Sequence, residues 1–220
     1  MSIEEQGDRK SNYFIIPRAV STDICQLLAD YVQLKAATRP NIRKNDALSG
    51  THREYGDPLM ETLLGRLLPT VEKTVGKALW PTLSFCYLYK QGSQLNPHKD
   101  RSSCEWVASL CIGFASDDGK NAGNWPLVVE SDSGVPQAVT LQVGDMVLFR
   151  GSETQHWRDP YTGAWFVSAI FAYVEKEGPY AVHKFDQRKQ LGMPHVGMIR
   201  WSLGLLKASF LGRWRRIGKG

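Results

Sequence analysis

Several features are missing from this sequence, and each absence excludes a class of protein. No apolar run among the 220 residues approaches the roughly 18 residues that a membrane-spanning helix needs, which excludes an integral helical membrane protein. The 42% hydrophobic and 22% charged content, without a repeat or low-complexity segment, excludes disordered and collagen-like chains. Residues 1–10 are polar and lack an apolar signal core, so we expect no secretory signal.

Paired cysteines are also missing. The four cysteines form no C-x-x-C pair, and none has the histidine spacing of a zinc module. Cys86 and Cys111 lie in apolar stretches, where cysteine packs as a small hydrophobic residue. This usage is typical of a reducing compartment, so we expect a cytoplasmic protein.

Acidic residues are nearly absent from the C-terminal part. Residues 183–220 carry nine Lys and Arg and one acid, whereas residues 1–182 carry 18 basic and 21 acidic residues. The mildly acidic domain gives no reason to expect a nucleic-acid partner. Apolar residues at helical spacing from Ile199 to Ile217 predict a basic amphipathic helix in the tail. Such a helix packs on the domain or on a second subunit, or makes peripheral contact with an anionic membrane, and the membrane contact is our hypothesis.

Helical spacing dominates the N-terminal part of the domain. Capping residues at 21–23 precede one predicted helix, whose apolar residues at helical spacing are Ile24, Leu27, Leu28, Tyr31 and Leu34. Asp57 as a capping residue, followed by Pro58 at the first helical position, predicts the start of a second helix. The polar segment 39–57 between them predicts a long loop, either an active-site lid or a surface segment.

From Trp80 onward the pattern changes to short β-rich runs separated by turn residues. These runs are 82–90, 105–114, 125–130, 137–143, 145–150 and 164–174. Regular short strands are typical of a sandwich or a barrel. We therefore predict an α+β, mainly β fold with an N-terminal helical layer over residues 1–182, followed by the basic tail over 183–220.

Metal-ligand residue types follow two of these strands. His98 and Asp100 are two residues apart, so in an extended segment they project to the same face. His156 follows the predicted strand 145–150, and a jelly roll can bring it to the same barrel mouth. Two imidazoles and one carboxylate are the ligand set of non-haem Fe(II) oxygenases, with positions left open for a co-substrate and O2. Because H-x-D pairs also occur by chance on surfaces, the spacing alone leaves a surface pair open.

Two segments resemble a known family. Residues 87–101, YLYKQGSQLNPHKDR, resemble the Y-x-x-G…H-x-D segment of Fe(II)/2-oxoglutarate-dependent dioxygenases, in particular of the prolyl-4-hydroxylase-like branch. Residues 141–158 resemble the distal half of that pattern, in which an L-x-x-G-D turn precedes the strand before the second metal histidine. With the helical N-terminal part, the resemblance covers about residues 13–174.

The resemblance implies a double-stranded β-helix (jelly roll) with iron bound by His98, Asp100 and His156. Related halogenases lack the carboxylate, so the presence of Asp100 favours hydroxylation over halogenation. The implied function is a non-haem iron oxygenase that uses Fe(II), 2-oxoglutarate and O2. It would couple 2-oxoglutarate decarboxylation to hydroxylation, or a related C–H oxidation, of an unidentified substrate.

One departure concerns the anchor for 2-oxoglutarate. The family usually places Arg or Lys about ten residues after the distal histidine to bind the far carboxylate, but residues 163–169 contain no cation. Arg158 is the nearest candidate, followed by Arg150 and Lys90. A surface-turn role for Arg158, paired with Asp159, is equally compatible with the sequence.

Four further residues are candidates for the site. Tyr89 or Tyr87 can donate a phenolic hydrogen bond to 2-oxoglutarate, and Arg101 and Glu105 can border the substrate mouth.

The missing downstream cation gives weight to an alternative function, a jelly-roll binding or structural module with a non-catalytic metal site. A nucleic-acid demethylase of the same superfamily is less favoured, because the paired downstream arginines of that branch are absent and the domain is acidic.

Overall fold

The computed structural model describes residues 12–39, 51–115 and 124–193. Two α-helices in this part are Thr22–Thr38 (α1) and Pro58–Val75 (α2), and 3₁₀ segments lie at Ser102–Cys104 and Ala181–Gln187. The strands are Tyr13–Ile16 (β1), His52–Tyr55 (β2), Leu79–Lys90 (β3), Leu95–His98 (β4), Trp106–Ala115 (β5), Leu127–Glu130 (β6), Pro136–Val139 (β7), Met146–Phe149 (β8), His156–Arg158 (β9) and Trp165–Glu175 (β10).

The strands form two antiparallel sheets. The larger sheet has the order β1-β8-β5-β10-β3-β2, and the smaller has the order β4-β9-β6-β7. Because side chains alternate along a strand, β3, β5 and β10 contribute to two separate cores. One core lies against the helices, and the other lies between the large sheet and residues of the small sheet. The prediction of a mainly β protein is confirmed.

Helix α2 begins and ends at residues suited to those positions. The Asp57 carboxylate accepts hydrogen bonds from the Leu59 and Met60 amides at 3.0 and 3.2 Å, which satisfies two amides of the first turn. Gly76 ends the helix in the left-handed conformation (φ 67°), which glycine adopts without steric cost. The residues of α2 buried in the core include Leu64 and Val71.

The predicted apolar face of α1 is correct only in part, because Leu28 is buried in the core and Tyr31 packs against it, but the other three predicted residues do not. Ile24, Leu27 and Leu34 are at least half exposed. The buried side chains are Cys25, Leu28, Ala29 and Val32. The Ala29 methyl lies 3.5 Å from the point where a Cβ on Gly113 of β5 would be, so small residues on both elements allow a close approach. The face that packs on the sheet therefore carries Cys25, Ala29 and Val32 together with Leu28.

The predicted loop 39–57 contains a strand. β2 pairs antiparallel with β3, with His52 opposite Leu88. Its sequence is polar because it lies at the sheet edge, where alternation directs His52 and Glu54 to one side and Arg53 and Tyr55 to the other. Residues 40–50 lie outside the described part of the chain.

The beginning of the predicted tail contacts the domain. The buried Arg188 guanidinium lies 2.5 Å from the Glu61 carboxylate of α2 and donates to the Thr82 carbonyl of β3 at 2.9 Å. The division of the chain after residue 182 stays a prediction. Residues 194–220 lie outside the described residues, so the amphipathic helix and its membrane contact also stay predictions. Over the described ranges, no helix combines the length and the apolar character needed to cross a membrane.

Candidate metal centre and adjoining cavity

The pairing of β4 with β9 places two imidazoles side by side. His98 and His156 are register partners, and their ring centroids lie 4.3 Å apart. Each Nδ1 lies within hydrogen-bond distance of the carbonyl oxygen two residues earlier, of Asn96 at 2.8 Å and of Thr154 at 3.0 Å. When each Nδ1–H donates to its carbonyl, both Nε2 atoms are left with lone pairs for a metal.

Asp100 completes the group. Its Oδ1 lies 3.6 Å from His98 Nε2, and its Oδ2 lies 3.6 Å from His156 Nε2. The three ligand atoms all lie within 4.8 Å of one another. Ligands bound at right angles, each about 2.1 Å from a divalent ion, are about 3 Å apart, so small inward movements would complete the site. Two imidazole nitrogens and one carboxylate oxygen therefore fit a non-haem iron ion in both chemistry and spacing.

Gly151 provides the space for the Asp100 carboxylate. Its carbonyl accepts a hydrogen bond from the Asp100 amide at 2.9 Å. A Cβ on Gly151 would lie 2.5 Å from Val107 Cγ2, 2.7 Å from Asp100 Oδ2 and 2.9 Å from the Cys104 carbonyl oxygen. Since Cβ atoms do not approach so closely, any larger residue would force these groups apart, the Asp100 carboxylate among them.

The protonation tendencies of the two histidines differ. The hydrogen bond with Asp100 raises the pKa of His98, whereas burial lowers the pKa of His156. His156 is thus held in the neutral form that binds metals.

Arg158 reaches the same cavity from β9. Two residues after His156, it projects to the same side of the strand, and both side chains line a cavity of about 320 Å³. The guanidinium lies 5.0 Å from the Trp125 ring centre and 5.1 Å from that of Phe166, and it donates to the Trp125 carbonyl. Burial lowers the pKa of Arg158.

No carboxylate within the described residues pairs with Arg158, although its side chain is only 5% exposed. A buried guanidinium that contacts a carbonyl and two aromatic rings but no negative charge is costly, so this position favours an anionic ligand. Arg158 is therefore a buried residue and not a surface-turn residue paired with Asp159.

Comparison with solved structures identifies the fold. A prolyl-4-hydroxylase from Pseudomonas putida superposes with a TM-score of 0.62 at 18% identity, covering 75% of this chain and 93% of that one. The epimerase SnoN, in complex with Fe3+, α-ketoglutarate and nogalamycin RO, gives 0.63 at 14% identity, covering 84% and 89%. HygX from Streptomyces hygroscopicus, with nickel, 2-oxoglutarate and hygromycin B bound, gives 0.57 at 14% identity, covering 76% and 84%.

The fold is that of the Fe(II)/2-oxoglutarate oxygenases. The predicted resemblance is confirmed for the fold. No protein-family model and no curated protein sequence matches the chain.

Within this oxygenase fold, the position ten residues after His156 is held by an aromatic residue. That residue, Phe166, stacks against the Arg158 guanidinium instead of supplying a cation of its own. Arg150 binds Glu105 and Glu153 at 3.2 and 2.6 Å and lines a separate polar groove. Lys90 is exposed and does not line the cavity.

Tyrosines form the inner wall of the cavity. Tyr87 and Tyr89 are two residues apart on β3, so they project to the same face, and their rings stack with centroids 5.1 Å apart. Burial raises the pKa of Tyr87 to about 12 and raises the pKa of Tyr89 further. Both phenols therefore stay protonated at neutral pH and can donate hydrogen bonds to an anion.

The structure adds residues that the sequence analysis did not assign to the site. Phe85, Ser168 and Ile170 line the cavity together with the predicted Arg101, whereas Glu105 is buried outside the cavity and binds Arg150. Phe85 lies two residues before Tyr87 on β3, and Ser168 and Ile170 are two residues apart on β10. The alternation of side chains along each strand is therefore the sequence signal that would have placed these three residues on the cavity side. No local pattern links Arg101 to its partner Asp186, which is 85 residues away.

Proposed function

We propose that this protein is an Fe(II)/2-oxoglutarate-dependent oxygenase that hydroxylates, or otherwise oxidises a C–H bond of, a second substrate. The observation that carries the proposal is the presence of two matched features in one cavity. A facial group of two imidazoles and a carboxylate lies beside a buried arginine that has no carboxylate partner in the described residues. The first fits a metal, and the second fits the far end of a dicarboxylate.

Each residue has a role that follows from its contacts. His98, Asp100 and His156 would hold Fe(II), with the backbone carbonyls of Asn96 and Thr154 orienting the imidazoles. Arg158 would bind the far carboxylate of 2-oxoglutarate, with Trp125 and Phe166 fixing its guanidinium plane. Tyr89, and Tyr87 beside it, would donate phenolic hydrogen bonds to the same anion.

When bound, Fe(II) with 2-oxoglutarate and O2 supplies the oxidising chemistry, releasing succinate and CO2. The chain itself positions the co-substrate and lowers the water content around it. Aromatic and aliphatic side chains line much of the cavity, and they strengthen the electrostatic attraction between Arg158 and a carboxylate.

We also propose a specific architecture for the fold. The two antiparallel sheets support a double-stranded β-helix, or jelly roll, with α1 and α2 as an N-terminal helical layer. SnoN has α-ketoglutarate and nogalamycin RO bound, and HygX has 2-oxoglutarate and hygromycin B bound, so this fold accepts a second small molecule beside the co-substrate. We keep a cytoplasmic location as a prediction from cysteine usage.

The test is succinate formation from 2-oxoglutarate by the full chain with Fe(II) and O2, without any second substrate. We expect slow turnover that requires Fe(II) and stops when a chelator is added. Because such uncoupled turnover needs no second substrate, its absence from a protein that binds Fe(II) and 2-oxoglutarate would favour a non-catalytic binding module.

A further inference from the structure

The outer half of the cavity has a composition that indicates its second ligand. Three cations line the cavity, Lys99, Arg101 and Arg158, whereas Asp100 is the one acid among its described lining residues. Since Asp100 is assigned to the metal and Arg158 to 2-oxoglutarate, two cations remain at the mouth, Lys99 and Arg101, against one buried carboxylate, Asp186, which binds Arg101. A ligand with a negative group is favoured there.

Arg101 is held at the mouth by a buried carboxylate. Its Nη2 donates to Asp186 Oδ2 at 2.7 Å, and the same oxygen accepts from the Tyr55 hydroxyl at 2.6 Å. Asp186 is 3% exposed, whereas the Arg101 side chain is 53% exposed. A guanidinium has five N–H donors, so Asp186 orients the group while other donors stay available to a ligand.

The backbone around Asp186 supports a positioning role. Phe185, Asp186 and Gln187 have φ values of 54°, 54° and 60°, a left-handed conformation that is unfavourable for residues with a Cβ. Backbone strain of this kind is kept where the surrounding structure requires it and is concentrated at functional sites. Here it brings the Asp186 carboxylate to Arg101, the residue directly after metal-ligand candidate Asp100.

An aromatic surface lines the same cavity as Arg101. Phe85 lines the cavity, and its ring is packed edge-to-face with Tyr55 at 5.2 Å and lies 5.2 Å below the Arg53 guanidinium. Tyr87 continues the surface inward at 5.8 Å. Fixed aromatic rings of this kind bind the face or edge of a planar apolar group.

The size of the cavity limits the ligand. Its volume of about 320 Å³ lies at the lower end of the roughly 300–1,000 Å³ range of small-molecule sites. Because 2-oxoglutarate would occupy the inner part beside Arg158, the outer part has room for about one ring with a short chain.

We infer that the compound oxidised by this protein is a small ring-bearing acid whose ring lies against Phe85 and whose carboxylate binds Arg101. The inference rests on the proposed function and specifies its substrate class. Arg101 is thus a specificity-determining residue, and Asp186 is a positioning residue that acts through it.

Calorimetric titration of the full chain tests the inference. Mn(II) and then 2-oxoglutarate are first titrated into the protein. The resulting sample is then titrated with 3-phenylpropanoate in one experiment and with its uncharged amide in another. We expect the wild type to bind the acid at least about 10-fold more tightly than the amide, because a charge-assisted hydrogen bond is lost. Arg101→Gln should weaken acid binding by about 10- to 100-fold and leave acid and amide within about threefold of each other.

Two further variants separate recognition from folding. Arg66→Gln removes an exposed arginine of α2 and should leave both affinities unchanged. Asp186→Asn keeps the shape of the side chain, and should weaken binding of the acid but not of the amide.

The outcomes distinguish the two proposals. A wild type that binds Mn(II) and 2-oxoglutarate but binds acid and amide equally, or binds neither, overturns the substrate class alone. A wild type that binds neither Mn(II) nor 2-oxoglutarate overturns the proposed function. If Arg101→Gln, with a native circular dichroism spectrum, keeps the wild-type preference for the acid, Arg101 is not the recognition residue.

Discussion

His98 and His156 lie directly opposite each other on β4 and β9, with their ring centroids 4.3 Å apart. The distance between the imidazoles is therefore set by strand pairing and does not depend on a loop. Asp100, two residues after the end of β4, is fixed by its amide hydrogen bond to the Gly151 carbonyl. A site built in this way is preorganised, and removing one ligand side chain leaves the sheet intact.

Removing any one of the three ligands should abolish Fe(II)-dependent succinate formation. We expect His98→Ala, Asp100→Ala and His156→Ala each to reduce turnover by at least about 100-fold, because loss of a ligand costs more than loss of an outer partner. Circular dichroism should be unchanged. His183→Ala, which lines neither cavity, is the matched control. Near-normal turnover in any ligand variant would mean that the metal site is misassigned.

Replacing Arg158 should affect 2-oxoglutarate far more than iron. Truncating one partner of a buried charge pair costs about 2–5 kcal/mol, so Arg158→Gln should raise the KM for 2-oxoglutarate by about 30-fold or more. Fe(II) affinity should change little. Lys90→Gln removes an exposed cation outside the cavity and should leave the KM unchanged. An unchanged KM in Arg158→Gln would require another anchor.

A methyl group at Gly151 should damage the metal site and also lower the stability of the protein, because it would lie against buried Val107 and the Cys104 carbonyl as well as against Asp100. The added Cβ would displace the Asp100 carboxylate, so we expect Gly151→Ala to weaken Mn(II) binding by about 10- to 100-fold. Gly65→Ala is the control, because the position is open and helical. It should raise stability by up to about 1 kcal/mol and leave Mn(II) binding unchanged. Equal Mn(II) affinities in the two variants would show that Asp100 does not need this space.

Asp57 should make stability depend on pH. Burial alone would raise its pKa, but hydrogen bonds from Lys35 and Tyr31 outweigh burial and hold the pKa below its usual value. A lowered folded-state pKa stabilises the protein above about pH 4, and the contribution is lost as the pH falls through the folded-state pKa.

The variant Asp57→Asn isolates this effect. We expect it to cost about 2–4 kcal/mol in urea unfolding near neutral pH, since it removes a buried charge that binds Lys35 at 2.5 Å. The difference from the wild type should shrink on acidification. Asp30→Asn, on the exposed side of α1, should show neither effect. A difference that is the same at about pH 7 and about pH 3 would contradict the assignment.

The sequence was sufficient to predict the features that depend on local pattern. Long strands such as β3, β5 and β10 have apolar runs bounded by turn residues, and the H-x-D pair lies in a recognisable motif. The short strands β4 and β9 were missed because each has only three or four residues, among them the metal-ligand candidates. Too few positions remain in such strands for an alternating pattern to be visible.

Contacts between distant segments could not be predicted. Nothing local distinguishes Arg158 as a buried residue, because its burial depends on Trp125 and Phe166 from two other segments. The pairing of Arg101 with Asp186 likewise depends on where residues 181–193 pack. On α1, two overlapping apolar stripes fit the helical period, and the fit of Ala29 against Gly113 decides between them.

A crystal structure of the full chain with Mn(II) and 2-oxoglutarate tests the central claim most directly. The account predicts the metal bound by His98 Nε2, Asp100 and His156 Nε2. It also predicts that the far carboxylate of 2-oxoglutarate is bound by the Arg158 guanidinium and by a hydroxyl of Tyr89 or Tyr87. A metal held by other residues, or a 2-oxoglutarate whose far carboxylate binds a cation other than Arg158, would contradict it.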